Sequence, residues 1–314
     1  MTESGKRAWT VTIGRGRQKE AAVRRYHLVA LLVLVVVGAL MAGCHGSGGR
    51  GPRRLARPFF AMDTGTRDAE HQSAQSQAQM LKELGYAGIG HTWTKGIPEV
   101  RAAMNEQGLR LCAVYINLTL QSGQAVFNPD PSPILAQLEG QDSVIWFNVK
   151  PVASEVSESE ADELFACAIR KLADQAKPFG VKLAVYPHFG GYVEKMAESV
   201  RLARKVDRDN VGVSFNLCHW LRAEPTADLE ATLRLALPYL VAMSINGADT
   251  DATDWGGLIQ PLGRGDFDMG RLLALLDKYE WAGPVGLQGF GIQGPVRDNL
   301  AESMRAWVEL TDGQ

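Results

Sequence analysis

The chain has 314 residues, 46% of them hydrophobic and 22% charged, with a formal net charge of −2. That apolar content supports a packed core and excludes an intrinsically disordered chain. Four widely spaced cysteines exclude a disulfide framework and a CxxC metal knuckle.

Seven basic residues, Lys6 through Arg25, precede an uncharged apolar run from Leu28 to Ala42. At about 15 residues the run is short for a transmembrane helix and suits a signal-peptide core. It ends in "LMAGC", followed by "HGSGGRGPRR", which resembles a bacterial lipobox. The resemblance implies that Cys44 is lipidated and that the protein is exported and anchored to a bacterial cell membrane. Residues 1–43 are then the signal peptide, 44–57 a flexible Gly/Ser/Arg tether, and 58–314 the folded domain. Removing seven basic and two acidic leader residues and the four tether arginines leaves 22 basic against 33 acidic, a net of −11. Such a surface repels phosphate backbones, so nucleic acid is excluded as a partner.

From Pro58 onward, short apolar strands alternate with amphipathic helices. The strands are "PFFAMD", "AGIGHTW", "LRLCAVYIN", "SVIWFNVK", "VKLAVYPH", "VGVSFN", "LVAMSIN" and "GPVGLQG". The helices fall over 68–84, 96–107, 131–139, 158–178, 191–206, 226–237, 268–279 and 297–311. Gly85, Gly108 and Gly180 stand where helices should stop. Eight βα units predict an α/β fold, a (β/α)8 TIM barrel. No strand leads into the GxGxxG turn that a dinucleotide-binding sheet needs. Cys112 and Cys167 fall in apolar patterns and read as core residues.

Barrel active sites gather where strands end. Those ends carry His91 and Trp93 on the second strand, Asn117 on the third, and Asn148 and Lys150 on the fourth. Tyr186 and His188 end the fifth. Asn216, Cys218, His219 and Trp220 follow the sixth, Asn246 the seventh and Gln288 the eighth.

"LKELGYAGIG", "VKLAVYPHFG", "VGVSFNLCHW" and "PLGRGDFDMGRLLALL" resemble the xylose-isomerase-like TIM-barrel superfamily of sugar isomerases, sugar epimerases and endonuclease IV relatives. That resemblance implies a divalent metal held by a Glu on strand five, an Asp on strand six, a His on strand seven and a Glu on strand eight. Here those positions hold Tyr186, Asn216, Ser244 (or Asn246 one pleat later) and Gln288; only His219 of the Asp-x-x-His pattern is kept. Hard divalent ions want anionic oxygens, so no cofactor is predicted and a metal is disfavoured. If zinc were held, it would be by His91, His188 and His219.

Proton transfer then falls to His188 and His219, with Tyr186 as a possible phenol acid and Lys150 as a possible partner for an anionic oxygen. His91, Trp93, Asn117, Asn148, Asn216, Trp220, Asn246 and Gln288 read as substrate-binding groups, aromatic faces and amides suited to a neutral polyol. The expected protein is a divergent sugar isomerase, epimerase or lyase using histidine acid/base chemistry. The alternative is a barrel that binds carbohydrate without turning it over.

Overall fold

The computed structural model describes residues 56–312; the leader and Cys44 lie outside the described residues. Eight parallel strands form a closed barrel: β1 (Phe59–Met62), β2 (Gly88–Thr92), β3 (Arg110–Gln121), β5 (Val144–Val149), β6 (Lys182–Tyr186), β7 (Val211–Asn216), β8 (Leu240–Ile245) and β9 (Val285–Leu287). Each pairs with the next in line, and β9 pairs back onto β1. The predicted (β/α)8 barrel is the observed architecture.

The helices are α1 (Ala74–Leu84), α2 (Ile97–Glu106), α3 (Glu158–Ala176), α4 (Met196–Val206), α5 (Leu217–Ala223), α6 (Leu229–Ala236), α7 (Trp255–Leu258), α8 (Met269–Lys278) and α9 (Val296–Asp312). Their boundaries follow local chemistry. Ser73, Ser157 and Asp268 accept backbone N–H bonds at the starts of α1, α3 and α8. Gly85 closes α1 in the left-handed conformation that an L side chain resists.

Four local expectations change. The third strand does not stop at Asn117 but runs on to Gln121 and turns at Ser122-Gly123, both with positive φ, into antiparallel β4 (Gln124–Asn128). Where β2 ends opposite Tyr115, β4 takes over that edge of β3. The helix expected over 131–139 is a 3-10 turn at Ser132–Gln137. Arg57, placed in the tether by sequence, is buried and bonds Asp277 of α8 at 2.6 Å and the Trp281 carbonyl at 2.9 Å. Of the two cysteines read as core, Cys112 is buried and Cys167 is exposed on α3.

Strand alternation divides the apolar residues into two layers. Phe59, Ala61, Ile145, Phe147, Leu183, Val185, Val213 and Phe215 face the helices. Phe60, Met62, Trp146, Ala184, Tyr186 and Ala242 fill the barrel interior. Two large rings fit inside because glycine sits opposite them. A methyl on Gly286 would lie 2.8 Å from Phe60 Cζ and 3.2 Å from Trp146 Cη2, and one on Gly90 would lie 2.3 Å from Met62 Sδ. This packing plugs the barrel and separates a smaller space at its N-terminal end, lined by Cys112, Val144 and Val241, from an open space above Met62, Trp146 and Tyr186.

Candidate functional site

That space is a cavity of about 320 Å3 at the C-terminal mouth of the barrel. Met62, Tyr115, Trp146, Tyr186 and Ile259 supply apolar wall; Thr64, Thr92, His188, Cys218, His219 and Gln288 supply polar atoms; Trp255 and Phe290 complete the lining. No carboxylate and no Lys or Arg is among these lining residues.

The positions that the sequence marks as former metal ligands do come together. Asn216 Nδ2 donates to the Tyr186 hydroxyl and, at 2.8 Å, to Ser244 Oγ. Ser244 and Gln288 also hydrogen-bond Tyr186. Gln288 Oε1 in turn accepts from Thr64 Oγ1 at 3.2 Å and from the Phe290 N–H at 3.1 Å. Four neutral groups have closed on one another where a hard dication would need anionic oxygens with free lone pairs. The donor set does not fit such an ion. Burial pushes the Tyr186 hydroxyl well above its usual range, helped by the nearby Cys218 and Tyr115 and opposed by the Ser244 and Gln288 bonds. Tyr186 is therefore a poor proton donor at neutral pH.

Asn216 has a further duty. Its Oδ1 accepts the His219 N–H at 3.1 Å and the Cys218 S–H at 3.0 Å, capping α5, which starts directly off β7. The amide thus positions His219 instead of meeting a ligand. Burial raises the Cys218 thiol to about 12, which removes it as a nucleophile at neutral pH.

His219 and His188 lie in contact, tilted, with ring centroids 3.9 Å apart and planes 36° apart. The backbone of Phe189 serves both. Its carbonyl is 2.9 Å from His188 Nδ1, and its N–H points to His219 Nδ1 at 3.4 Å. A carbonyl accepts and an N–H donates, so the partners assign opposite tautomers: Nδ1–H in His188, Nε2–H in neutral His219. His188 Nε2 is left with a lone pair and His219 Nε2 with a proton, in rings that both line the cavity. Burial holds both imidazoles below their usual value of 6.5, His219 far below, where a charge on His188 adds to the effect. At His188, Lys150 also disfavours the cation, while the Phe189 carbonyl and Glu194 favour it.

Of the sequence candidates, Tyr186, His188, His219 and Gln288 line the cavity. Others are spent elsewhere. His91 has Nδ1 3.0 Å from Asp63 Oδ2 and Nε2 2.8 Å from the Lys95 carbonyl, so a three-histidine zinc site with His188 and His219 is not assembled. Asn246 is buried and bonds the carbonyls of Gly247 and Leu258, both at 2.7 Å, latching the loop before α7. Trp220 is buried against Phe215 with Nε1 3.4 Å from Thr232 Oγ1. Asn148 hydrogen-bonds the Tyr115 hydroxyl one layer out. Asn117 sits in register with Asn148 and Asn128, off the cavity lining. Lys150 is likewise outside the lining and acts at a distance on His188. Trp93 stands at the edge of Tyr115, centroids 6.3 Å apart. Sequence reasoning missed Met62, Trp146, Thr92, Ile259, Phe290 and the Phe189 backbone. The alternation of the strands already pointed Met62 and Trp146 inward, and Phe290 follows the mouth residue Gln288 by two.

A family model described as xylose isomerase-like TIM barrel matches residues 78–310. No curated protein sequence matches the chain at a significant level. Among solved structures, 3-keto-D-glucoside 4-epimerase from E. coli aligns with a TM-score of 0.64 and 17% identity, over 80% of this chain and 98% of that one. D-psicose 3-epimerase from Clostridium cellulolyticum gives 0.61 and 16%, over 80% and 96%. A probable 3-DHS dehydratase from Bacillus anthracis gives 0.61 and 14%, over 80% and 98%. At such identities the likeness is one of fold.

Proposed function

The chain belongs to the xylose isomerase-like TIM barrel family, and within it we propose a divergent member that moves protons on a neutral sugar or sugar derivative with two histidines in place of a metal. The observation that carries this reading is the His188–His219 pair, with ring centroids 3.9 Å apart and opposite tautomers held by the backbone N–H and carbonyl of Phe189. The carbohydrate class is supported by the uncharged lining and by the sugar epimerases among the structural relatives. Export and lipid attachment at Cys44 belong to the same proposal and rest on the leader sequence alone.

In this mechanism His188 Nε2 takes a proton from a carbon beside a carbonyl. The carbonyl oxygen gains the negative charge and accepts a hydrogen bond from His219 Nε2–H. A buried neutral imidazole suits that second task because its N–H stabilises developing charge without starting as a cation. Return of the proton from His188, on the same face, to the former carbonyl carbon, with His219 passing a proton between the two oxygens, gives an isomer. Inversion at the original carbon requires the enolate to turn over before His188 gives the proton back. A leaving group on the next carbon would turn the same enolate toward elimination. Thr92 lines the cavity and, with its hydroxyl hydrogen given to Asp63, keeps oxygen lone pairs that can accept from a ligand hydroxyl.

A second reading, carbohydrate binding without turnover, is favoured by the self-satisfied Tyr186–Asn216–Ser244–Gln288 cluster and by the lack of a cation among the lining residues. Deuterium exchange separates the two. Sugars that bind are incubated with the protein in D2O and followed by NMR. His188→Gln and His219→Gln keep a hydrogen-bonding amide and should lower exchange by about 10²–10⁴-fold with binding retained. If no bound sugar exchanges, the binding module is the better reading.

A further inference from the structure

Burial falls in steps along the cavity wall. Tyr186 and His219 are buried, His188 is half-buried, and then Trp255 and Phe290 stand 42% and 63% exposed. Phe189, 36% exposed, meets Trp255 with centroids 6.2 Å apart, and Trp255 meets the His219 ring at 5.3 Å. Single exposed apolar residues are ordinary on a protein surface. These three are different because they adjoin one another or one cavity. The rings of Trp255 and Phe290 belong to the lining of the space that the histidines close from below. Trp93 adds a fourth exposed ring, at 41%, against the cavity residue Tyr115. It is held at a φ of 73°, a conformation that bulky residues rarely adopt.

A free sugar is polar on every edge and would leave such a collar of rings largely wet. A charged substituent would find no counter-charge among the lining residues. The space thus has hydrogen-bonding groups on its inner walls, above an apolar floor, and aromatic faces at its outer end. We propose that the ligand is a sugar joined to a flat, uncharged apolar group, an aryl or similarly planar aglycone. The sugar ring lies at His188 and His219 and the aglycone at Trp255 and Phe290. This rests on the carbohydrate reading of the cavity. It adds that recognition is shared between a polar inner site and an apolar outer one.

The test pairs phenyl and methyl glycosides of the same sugars, with phenol as the control, in calorimetric titrations of the detergent-solubilised full chain. At least one phenyl glycoside should bind about tenfold or more tighter than its methyl partner, since the ring removes apolar surface from water. Phe290→Ala and Trp255→Ala, at exposed positions that do not hold the core, should reduce that preference to within about threefold while weakening the methyl partners far less. Equal affinities within every pair would leave the carbohydrate reading standing and overturn the aglycone site. A preference that survives both substitutions would overturn it too, because the phenyl group would then be held elsewhere. Phenol binding as tightly as its glycosides, or no binding by any member, would overturn both.

Discussion

Replacing Asn216 with Asp restores the residue type that the family pattern has at this position, and the structure predicts that it will harm the protein. Asn216 is buried with every hydrogen-bonding edge in use. A carboxylate can still accept from His219 and Cys218 but has no hydrogen for Tyr186 or Ser244, whereas the protonated carboxyl keeps one of those two bonds. No Lys or Arg lines the cavity to pair with a new charge, and burial holds both imidazoles below 6.5, so they resist supplying one. The carboxyl must then stay protonated at pH 7, about 3 units above its reference value near 3.9. At ~1.4 kcal/mol per unit the cost reaches about 4 kcal/mol. The sign follows from a folded-state pKa above the unfolded one: the penalty is present above about pH 4 and disappears below it. Urea unfolding of Asn216→Asp should therefore lie far below wild type at pH 7. At pH 4 it should approach wild type to within the ~1 kcal/mol of the one donor bond lost. Equal midpoints at pH 7 would refute the neutral-network argument. So would a variant whose lost stability returns with Mn2+, since the position would then still face a cation site.

Three other outcomes are expected. Proton exchange should be flat through neutral pH and fall as His188 charges, with an acid-side midpoint below 6.5 because burial favours the neutral ring; a midpoint above 6.5 would contradict the assigned base. At Asp63, burial opposes ionisation, but bonds from His91 and Thr92 and the Arg67 charge outweigh it and lower the pKa. Its contribution is thus present above about pH 4 and lost as pH falls through the lower folded value; Asp63→Asn should cost about 3 kcal/mol at pH 7, shrinking in acid, as read by urea titration. Gly286→Ala should cost about 1–3 kcal/mol in thermal unfolding, since its methyl meets Phe60 and Trp146; an unchanged Tm would mean that the interior yields more easily than its packing indicates.

The barrel was legible because each of its units advertises itself locally. Apolar strands such as "SVIWFNVK" and glycine stops such as Gly85 report on their own backbone, whatever the rest of the chain does. The β3–β4 arm carried a signal too, in the alternation around Ser122-Gly123, but the expectation of eight plain units concealed it. The site was legible only as far as strand ends and side-chain direction go. Asn216, Asn246 and Gln288 look alike in sequence, each an amide at a strand mouth. One caps a helix, one latches a loop, and one lines the cavity, and their partners include Ser244, 28 residues from Asn216, Leu258, 12 from Asn246, and Thr64, 224 from Gln288. His91 was misjudged for the same reason. Its partner Asp63 lies a full βα unit earlier, where no local pattern ties the two together.

Phe189 carries two separable jobs. Its backbone sets which nitrogen of each histidine bears hydrogen, whereas its side chain belongs to the exposed rim. Exchanging the ring for another side chain alters what the mouth welcomes and leaves the N–H and the carbonyl where they are. Ligand preference at this barrel can drift through position 189 without disturbing proton handling, a freedom that a site oriented by side chains alone would not have.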